Sequence, residues 1–303
     1  MENLLHKMKD NNIEVYNFSD LKICDKLGEG ANGEVYRSFI CNKRCAAKKI
    51  SQDHINSNID YKYFLNDILY EIKIGKKFNS KRIMKIFGFS YDEENNEVYI
   101  ILELLNNKGC LFDYLYKMNN YLDKLEKITI FLSIIKAVRD MHDKKYCHSD
   151  LKPENLAYYY DMKEKTKYVK LIDFNCVTKI PIRKKYKALN YTYGTYGYCA
   201  PEQHGNNKYV CLKSDIYSLG VIFLELLNKY ELWNPKYYNY QKYRKSILEK
   251  LNEIKYEDLN IYRIIKKCLS KSPDKRYDIN ELYDEIIIHK NDHNSHNFHN
   301  DHK

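Results

Sequence analysis

YCHSDLKPENLAY, residues 146–158, is the stretch on which the reading of this chain turns. Asp150 stands two residues before Lys152 and five before Asn155. A carboxylate that can accept a hydroxyl proton, a cation for a phosphoryl group in motion and an amide oxygen for a divalent metal together suit phosphoryl transfer. Eighteen residues after Asn155, VKLIDFNCVTK (169–179) reads as a short apolar strand that closes on Asp173, a second oxygen ligand.

Towards the N-terminus, GEGANGEVY (28–36) brings Gly28, Gly30 and Gly33 close together. Glycines let a backbone turn approach phosphate, since no side chain intervenes. The G-x-G-x-x-G pattern also serves dinucleotide folds, which need a helix opening at the glycines and an acid about 20 residues later. Here EVYRSFI reads as a strand instead, followed by Lys48 in the apolar run CAAKKI. The pattern is that of a hairpin with a glycine tip. Taken alone, this stretch leaves open a plain glycine-rich hairpin with no ligand.

From Leu21 to Leu104 the chain is strand-like, with LKICDKLGEG, GEVYRSFI and KRCAAKKI as short runs. One helix, YKYFLNDILYEIKIGKKF (61–78), repeats Phe64, Ile68, Leu69, Ile72 and Ile74 near helical spacing. IMKIFGFSY and EVYIILELL are two further strands around the turn DEENN. From Leu111 onward helical periodicity dominates. LEKITIFLSIIKAVRDMH (125–142) carries Ile128, Phe131, Leu132, Ile135 and Val138 on one face. Later helices are expected over 214–228, 261–269 and 279–288, the last with Asp278 and Glu281 spaced as a capping box. The expected domains are an N-terminal extension (1–17), a small β-rich lobe (18–104), a larger helical lobe (105–288) and a tail (289–303). That tail holds His289, His293, His296, His299 and His302 among Asn, Asp and Ser. It reads as disordered low complexity, because those residues are poor helix formers.

A chain of 303 residues has ample length for a core. SLGVIFLELL (218–227) is about half a membrane span and carries Glu225, so no membrane segment is expected. No apolar signal sequence follows the first residues. Nine cysteines without paired spacing suit free thiols in a reducing, intracellular space, the cytoplasm by default. The net charge of +10 is spread through the chain, and no nucleic-acid module accompanies it.

With GTYGYCAPEQ (194–203) and KSDIYSLGVIFLEL (213–226) in order after these motifs, the chain resembles the eukaryotic protein kinase family, from Leu21 to Ile288. DLKPEN and Thr195 resemble its serine/threonine branch. The resemblance implies an α+β, two-lobed kinase-like fold that moves the γ-phosphate of ATP to protein hydroxyls with Mg²⁺. Protein substrates are then the partners; the oligomeric state is not implied. Lys48 would pair with the α- and β-phosphates and with Glu71. Asp150 would accept the hydroxyl proton, Lys152 would steady the γ-phosphate, and Asn155 and Asp173 would hold metal. Around the nucleotide would lie Leu27, Gly28, Gly30, Gly33, Val35, Ala46 and Ala157. Leu102 would gate the back of the pocket, ahead of a linker from Glu103 to Leu105. Glu202 with Arg276, and Asp215 beneath the catalytic loop, would be architectural.

Three departures from the family pattern stand out. Asn175 replaces a glycine, implying about 1 kcal/mol of left-handed strain. Ser149 replaces the arginine that receives an activation-segment phosphate, which weakens Thr178 and Thr192 as switches and implies activity without that phosphate. The basic cluster Arg183, Lys184, Lys185 and Lys187 could meet a phosphate or an acidic substrate, but a solvated loop is the better reading. Gly75 replaces a large aliphatic that packs on His148 and Phe174, which leaves a gap in that stack: either Phe78 or a neighbour fills it, or the Glu71 helix is loosely held. Two alternatives stand beside an active serine/threonine protein kinase: a pseudokinase that binds without efficient catalysis, and a small-molecule kinase, although the latter usually lacks the APE segment.

Overall fold

The computed structural model describes residues 2–30, 33–52, 58–105, 107–117, 122–161, 166–190, 194–228 and 240–300. These form two compact units, one of residues up to Gly109 with Ile172–Asn175, the other of Cys110–Leu171 and the remainder.

The first unit is built on a six-stranded sheet of β1 (Glu14–Asn17), β2 (Leu21–Gly30), β3 (Gly33–Ile40), β4 (Lys43–Ile50), β5 (Ile86–Asp92) and β6 (Glu97–Leu102). Their spatial order is β1-β5-β6-β4-β3-β2. Strand side chains alternate between faces. Cys45 and Ala47 of β4 join Leu21, Ile40, Tyr99 and Ile101 in a buried cluster on one face. Ala46 and Lys48 therefore point to the other, where the register sets Lys48 opposite Val35 and Ile100, and Ala46 opposite Leu102. Two-residue periodicity is what aims Lys48 away from the cluster.

Helix α2 (Asn58–Gly75) buries Ile68, Leu69, Ile72 and Ile74, with Glu71 on the same inward side. Its end falls at Gly75, so this glycine terminates the helix rather than interrupting it. Residues 1–17, expected to precede the lobe, are part of it from residue 2: they supply α1 (Glu2–Asp10) and β1, the latter parallel to β5.

The second unit centres on α4 (Leu212–Asn228), which is buried from Ser214 to Leu226. Against it lies α3 (Lys124–His142), where Phe131 and Phe223 stack at 4.0 Å. α3 opens with a capping box: Glu126 N–H donates to Asp123 Oδ1 at 2.7 Å. A hairpin of Leu156–Asp161 with Thr166–Leu171 follows α3, and α5 (Tyr240–Glu257), α6 (Leu259–Cys268) and α7 (Ile279–Asn300) complete the unit. The Tyr-rich stretch NKYELWNPKYYNYQKYRK (228–245), which matches no signature and reads only as a divergent surface helix region, runs into α5; its residues 229–239 lie outside those described.

α7 begins with the expected box, since Glu281 N–H donates to Asp278 Oδ1 at 2.9 Å. It then continues past Ile288 to Asn300, where a coil was expected. His289 is 6% exposed and lies 3.1 Å from Asp258, so it belongs to the packed helix rather than to a tail. Side chains from residue 293 lie outside those described. Asp258 caps α6 by accepting from Asn260 and Ile261 N–H, and also accepts from Lys124 Nζ at 2.7 Å.

Burial would raise the Asp258 carboxyl, but the His289 and Lys124 hydrogen bonds outweigh it and hold its pKa below the ordinary value. A depressed folded pKa gives stability that is present above the unfolded value, about 3.9, and is lost as pH falls through the folded one. Asp258→Ala should cost about 1–2 kcal/mol at pH 7. Asp258→Asn keeps the cap and should show a weaker acid dependence than the parent below about pH 4. Parallel pH-dependent denaturation curves for parent and Asn variant would contradict this account.

Candidate functional site

In the first unit the Lys48 Nζ lies 2.8 Å from Glu71 Oε1, with both side chains buried. Burial works against the lysine's charge, but the Glu71 and Asp173 carboxylates overcome it and hold its pKa above the ordinary value. Lys48 is thus a fixed cation with two acids around it. Asp173 is anchored at the turn by the Asn175 N–H, which donates to its Oδ1 at 3.0 Å.

Asn175 is not among the residues with positive φ, so the expected strain is absent there. Of the two outcomes open at Gly75, the structure shows the filled one, with Ile86 rather than Phe78 as the neighbour. A Cβ at Gly75 would run into the Ile86 side chain and sit 3.4 Å from Phe174 Cδ2. Ile86 occupies the volume that the family pattern assigns to residue 75.

Gly28 faces Val35 and Gly30 faces Gly33 across the β2–β3 hairpin, whose tip residues 31–32 lie outside those described. Gly33 has φ +129 and a Cβ there would collide with the Lys49 carbonyl, so glycine is required at this turn. Leu27 is exposed, whereas Ala46 and Leu102 are buried. The linker starts with Glu103, whose N–H donates to the Lys85 carbonyl at 3.0 Å while its Oε1 accepts from Lys85 N–H at 2.8 Å. Leu105 follows, half-buried.

In the second unit Asp150 Oδ1 accepts from Thr195 N–H at 2.7 Å and Thr195 Oγ1 at 2.8 Å. Lys152 Nζ donates to the same Thr195 Oγ1 at 2.7 Å. Asn155 Nδ2 donates to the Asp150 carbonyl at 2.9 Å and to its Oδ2 at 3.1 Å. Four predicted residues therefore form one hydrogen-bonded group. Using Nδ2 in this way leaves the Asn155 amide oxygen as the atom to offer a ligand. Amide and carboxylate oxygens, from Asn155 and Asp173, are hard donors of the kind that suit Mg²⁺. Ala157 is buried on the hairpin that follows.

Beneath this loop, Asp215 accepts from His148 N–H at 2.8 Å, Ser149 N–H at 2.9 Å and His142 Nε2 at 2.8 Å. Burial would raise its carboxyl, but the His142 hydrogen bond, the nearby histidine charges and the His148 N–H hold it below the ordinary range. Ser149 has φ +69, a strained backbone for a non-glycine residue. Asp215 holds it in place. Sequence reasoning missed His142 and Gln203. The latter donates from Nε2 to the Ser149 carbonyl at 3.0 Å and accepts from Ala200 N–H at 2.9 Å. No spacing in the sequence announces either contact.

Arg276 Nη1 and Nη2 each lie 2.7 Å from a Glu202 oxygen, and Ser214 Oγ donates to the same carboxylate at 2.7 Å. Thr178 is 3% exposed and its hydroxyl donates to the Cys176 carbonyl at 3.2 Å, so a modifying enzyme has no access to it in the folded chain. Thr192 lies outside the described residues. Arg183, Lys184, Lys185 and Lys187 are all exposed.

A buried ion pair between the sheet (Lys48) and α2 (Glu71), and an Asp-Lys-Asn-Thr group on a helical unit, are the kind of arrangement a protein kinase domain holds. A family profile described as "Protein kinase domain" matches residues 7–287, and the chain belongs to that family. It is 31% identical over 209 residues to the MAP kinase kinase MKK1/SSP32 of Saccharomyces cerevisiae, covering 67% of this chain and 38% of that protein. It is 26% identical over 282 residues to an Aurora kinase of Eremothecium gossypii, covering 90% and 70%. With the serine/threonine-protein kinase PSK2 of S. cerevisiae it shares 28% over 279 residues, covering 88% and 24%. The chain thus spans well under two-thirds of several of its relatives. Among the described residues, no helix is long and apolar enough to cross a membrane.

Proposed function

We propose that the chain is an active serine/threonine protein kinase that transfers the γ-phosphate of ATP to protein hydroxyls with Mg²⁺. The observation that carries this reading is the orientation of Asp150, whose carboxylate takes hydrogen bonds from Thr195 and Asn155. A general base must be held within hydrogen-bond reach of its proton before its pKa matters.

Lys48, kept cationic by Glu71 and Asp173, binds the α- and β-phosphates. Leu27, Gly28, Gly30, Gly33, Val35, Ala46 and Ala157 surround the nucleotide, and the backbone from Glu103 to Leu105, behind Leu102, meets its adenine edge. Asp150 takes the proton of a serine or threonine hydroxyl as that oxygen bonds to the γ-phosphorus. The bond from that phosphorus to the β–γ bridging oxygen breaks, and ADP leaves with the electron pair. Lys152 balances charge on the phosphoryl group in transit. Asn155 and Asp173 would hold magnesium, which neutralises charge developing on the phosphates.

Ser149, buried where the family's phosphate-receiving arginine stands, and Thr178, also buried, support activity without activation-segment phosphorylation. The Gly75 argument for a non-catalytic scaffold loses its force once Ile86 takes that volume. Nine free thiols support an intracellular, reducing location.

The test is purified protein with γ-labelled ATP, Mg²⁺ and a generic basic protein, beside Asp173→Ala. Label should appear on serine and threonine and fall at least about 100-fold in the variant. Equal transfer by both proteins would end the enzyme reading. Mainly phosphotyrosine would end the serine/threonine one.

A further inference from the structure

We propose that residues Glu2–Asn17 are a built-in brace that sets the position of α2, and with it Glu71, with Met8 and Gly88 as the positioning residues. The catalytic consequence rests on the kinase reading above; the mechanical one does not.

The segment is docked rather than trailing. Helix α1 has nine residues, too few to persist alone in water. It ends in a Schellman motif: Asn12 has φ +53, its N–H donates to the Lys9 carbonyl at 3.0 Å, and Ile13 N–H donates to the Met8 carbonyl at 2.9 Å. That motif brings together the side chains of its third-last helical residue and of the residue after the turn. Here those are Met8 and Ile13, 0% and 4% exposed. A methionine on a short terminal helix is fully buried only if the helix is packed against something. α1 lies against α2 and β1.

The grip on α2 spans Glu71. Lys7 Nζ donates to Asn66 Oδ1 at 3.4 Å, five residues before it, and Lys76 Nζ donates to the Asn12 carbonyl at 3.1 Å, five residues after it. The first of these is long for a hydrogen bond. The holding force therefore falls on Met8 and on the β1 ladder. β1 pairs parallel with β5 from Glu14 opposite Gly88 to Asn17 opposite Tyr91. A Cβ at Gly88 would collide with the Glu14 carbonyl and stand 2.9 Å from Tyr16 Cε2. Glycine at 88 is the space in which the brace seats. The same strand begins with Ile86, which packs over the end of α2 at Gly75, so brace and helix end bear on one strand.

The consequence follows from distance. The Lys48–Glu71 contact is 2.8 Å, and a shift of about 1 Å in α2 takes it out of hydrogen-bond range. Loosening the brace should lower the fraction of molecules with the pair formed.

The experiment uses the full chain with Met8→Asp, Met8→Leu and Gly88→Ala. Amide hydrogen exchange is read over 58–75 and, as an internal control, over 212–228. Met8→Asp and Gly88→Ala should speed exchange in 58–75 by about tenfold or more, the loss expected for one fully buried methionine, and leave 212–228 unchanged. Met8→Leu should behave as the parent. In steady-state assays the first two variants should lower kcat and raise KM for ATP, with Met8→Leu restoring both. Unchanged exchange over 58–75 in Met8→Asp overturns the proposal, as does an equal rise in both segments. A parent that transfers no phosphate, but whose 58–75 exchange responds as stated, keeps the brace and removes the kinase reading instead.

Discussion

Asp150→Asn should lower kcat by about 10²–10⁴ and leave KM for ATP within about threefold of the parent. The amide cannot take the hydroxyl proton at neutral pH, whereas the nucleotide contacts proposed here belong to other residues. The substitution also turns one of the two acceptor oxygens into NH₂, which then faces either Asn155 Nδ2 or the two Thr195 donors that now point at the carboxylate. A stability loss of about 1 kcal/mol should accompany it, small enough to leave the chain folded at 25 °C. Thr195→Val is the informative partner variant. It removes the hydroxyl shared by Asp150 and Lys152 but keeps the base, so its kcat should lie between the two. If Asp150→Asn retains parental kcat, Asp150 is not the base.

The second large effect is on stability. Arg276→Met removes a guanidinium that is 1% exposed and makes two 2.7 Å contacts with Glu202. It also donates to the Ser270, Lys213 and Lys271 carbonyls. Removing one partner leaves a charge buried, which costs about 3–5 kcal/mol. For a chain of this size that corresponds to a drop in Tm of roughly 10 °C. Adding Glu202→Gln should recover part of the loss, because the orphaned carboxylate disappears while Ser214 keeps an acceptor. Calorimetry of the three proteins decides it. A single variant as stable as the parent would show that the pair is not structural.

Much of this was legible in the chain itself. The hairpin strands came out at their observed limits because glycines and polar turns punctuate them, and because alternation separates Cys45 and Ala47 from Ala46 and Lys48. The partnership of Lys48 with Glu71, 23 residues apart, came from family resemblance, since no local pattern encodes it. Other features were hidden by the kind of physics that makes them. α1 is short, and among its described side chains it is Met8, with the turn at Asn12, that ties it to the rest of the unit. α7 runs through residues with poor helical propensity, starting from a cap and a packed His289 that propensity does not weigh. Strain was expected at Asn175 and is found at Ser149, where the His148 and Ser149 N–H groups both donate to Asp215 and fix the loop.

The exchange of bulk between Gly75 and Ile86 also affects how this protein can be altered. A wall of the first unit keeps its thickness while ownership of the atoms passes from helix to strand. Grafting a large aliphatic at position 75 alone would overfill that wall and push the helix end outward. The graft becomes tolerable only if residue 86 is pared back in the same step. Positions 75 and 86 therefore form one unit of inheritance, and neither should be judged, or engineered, without the other.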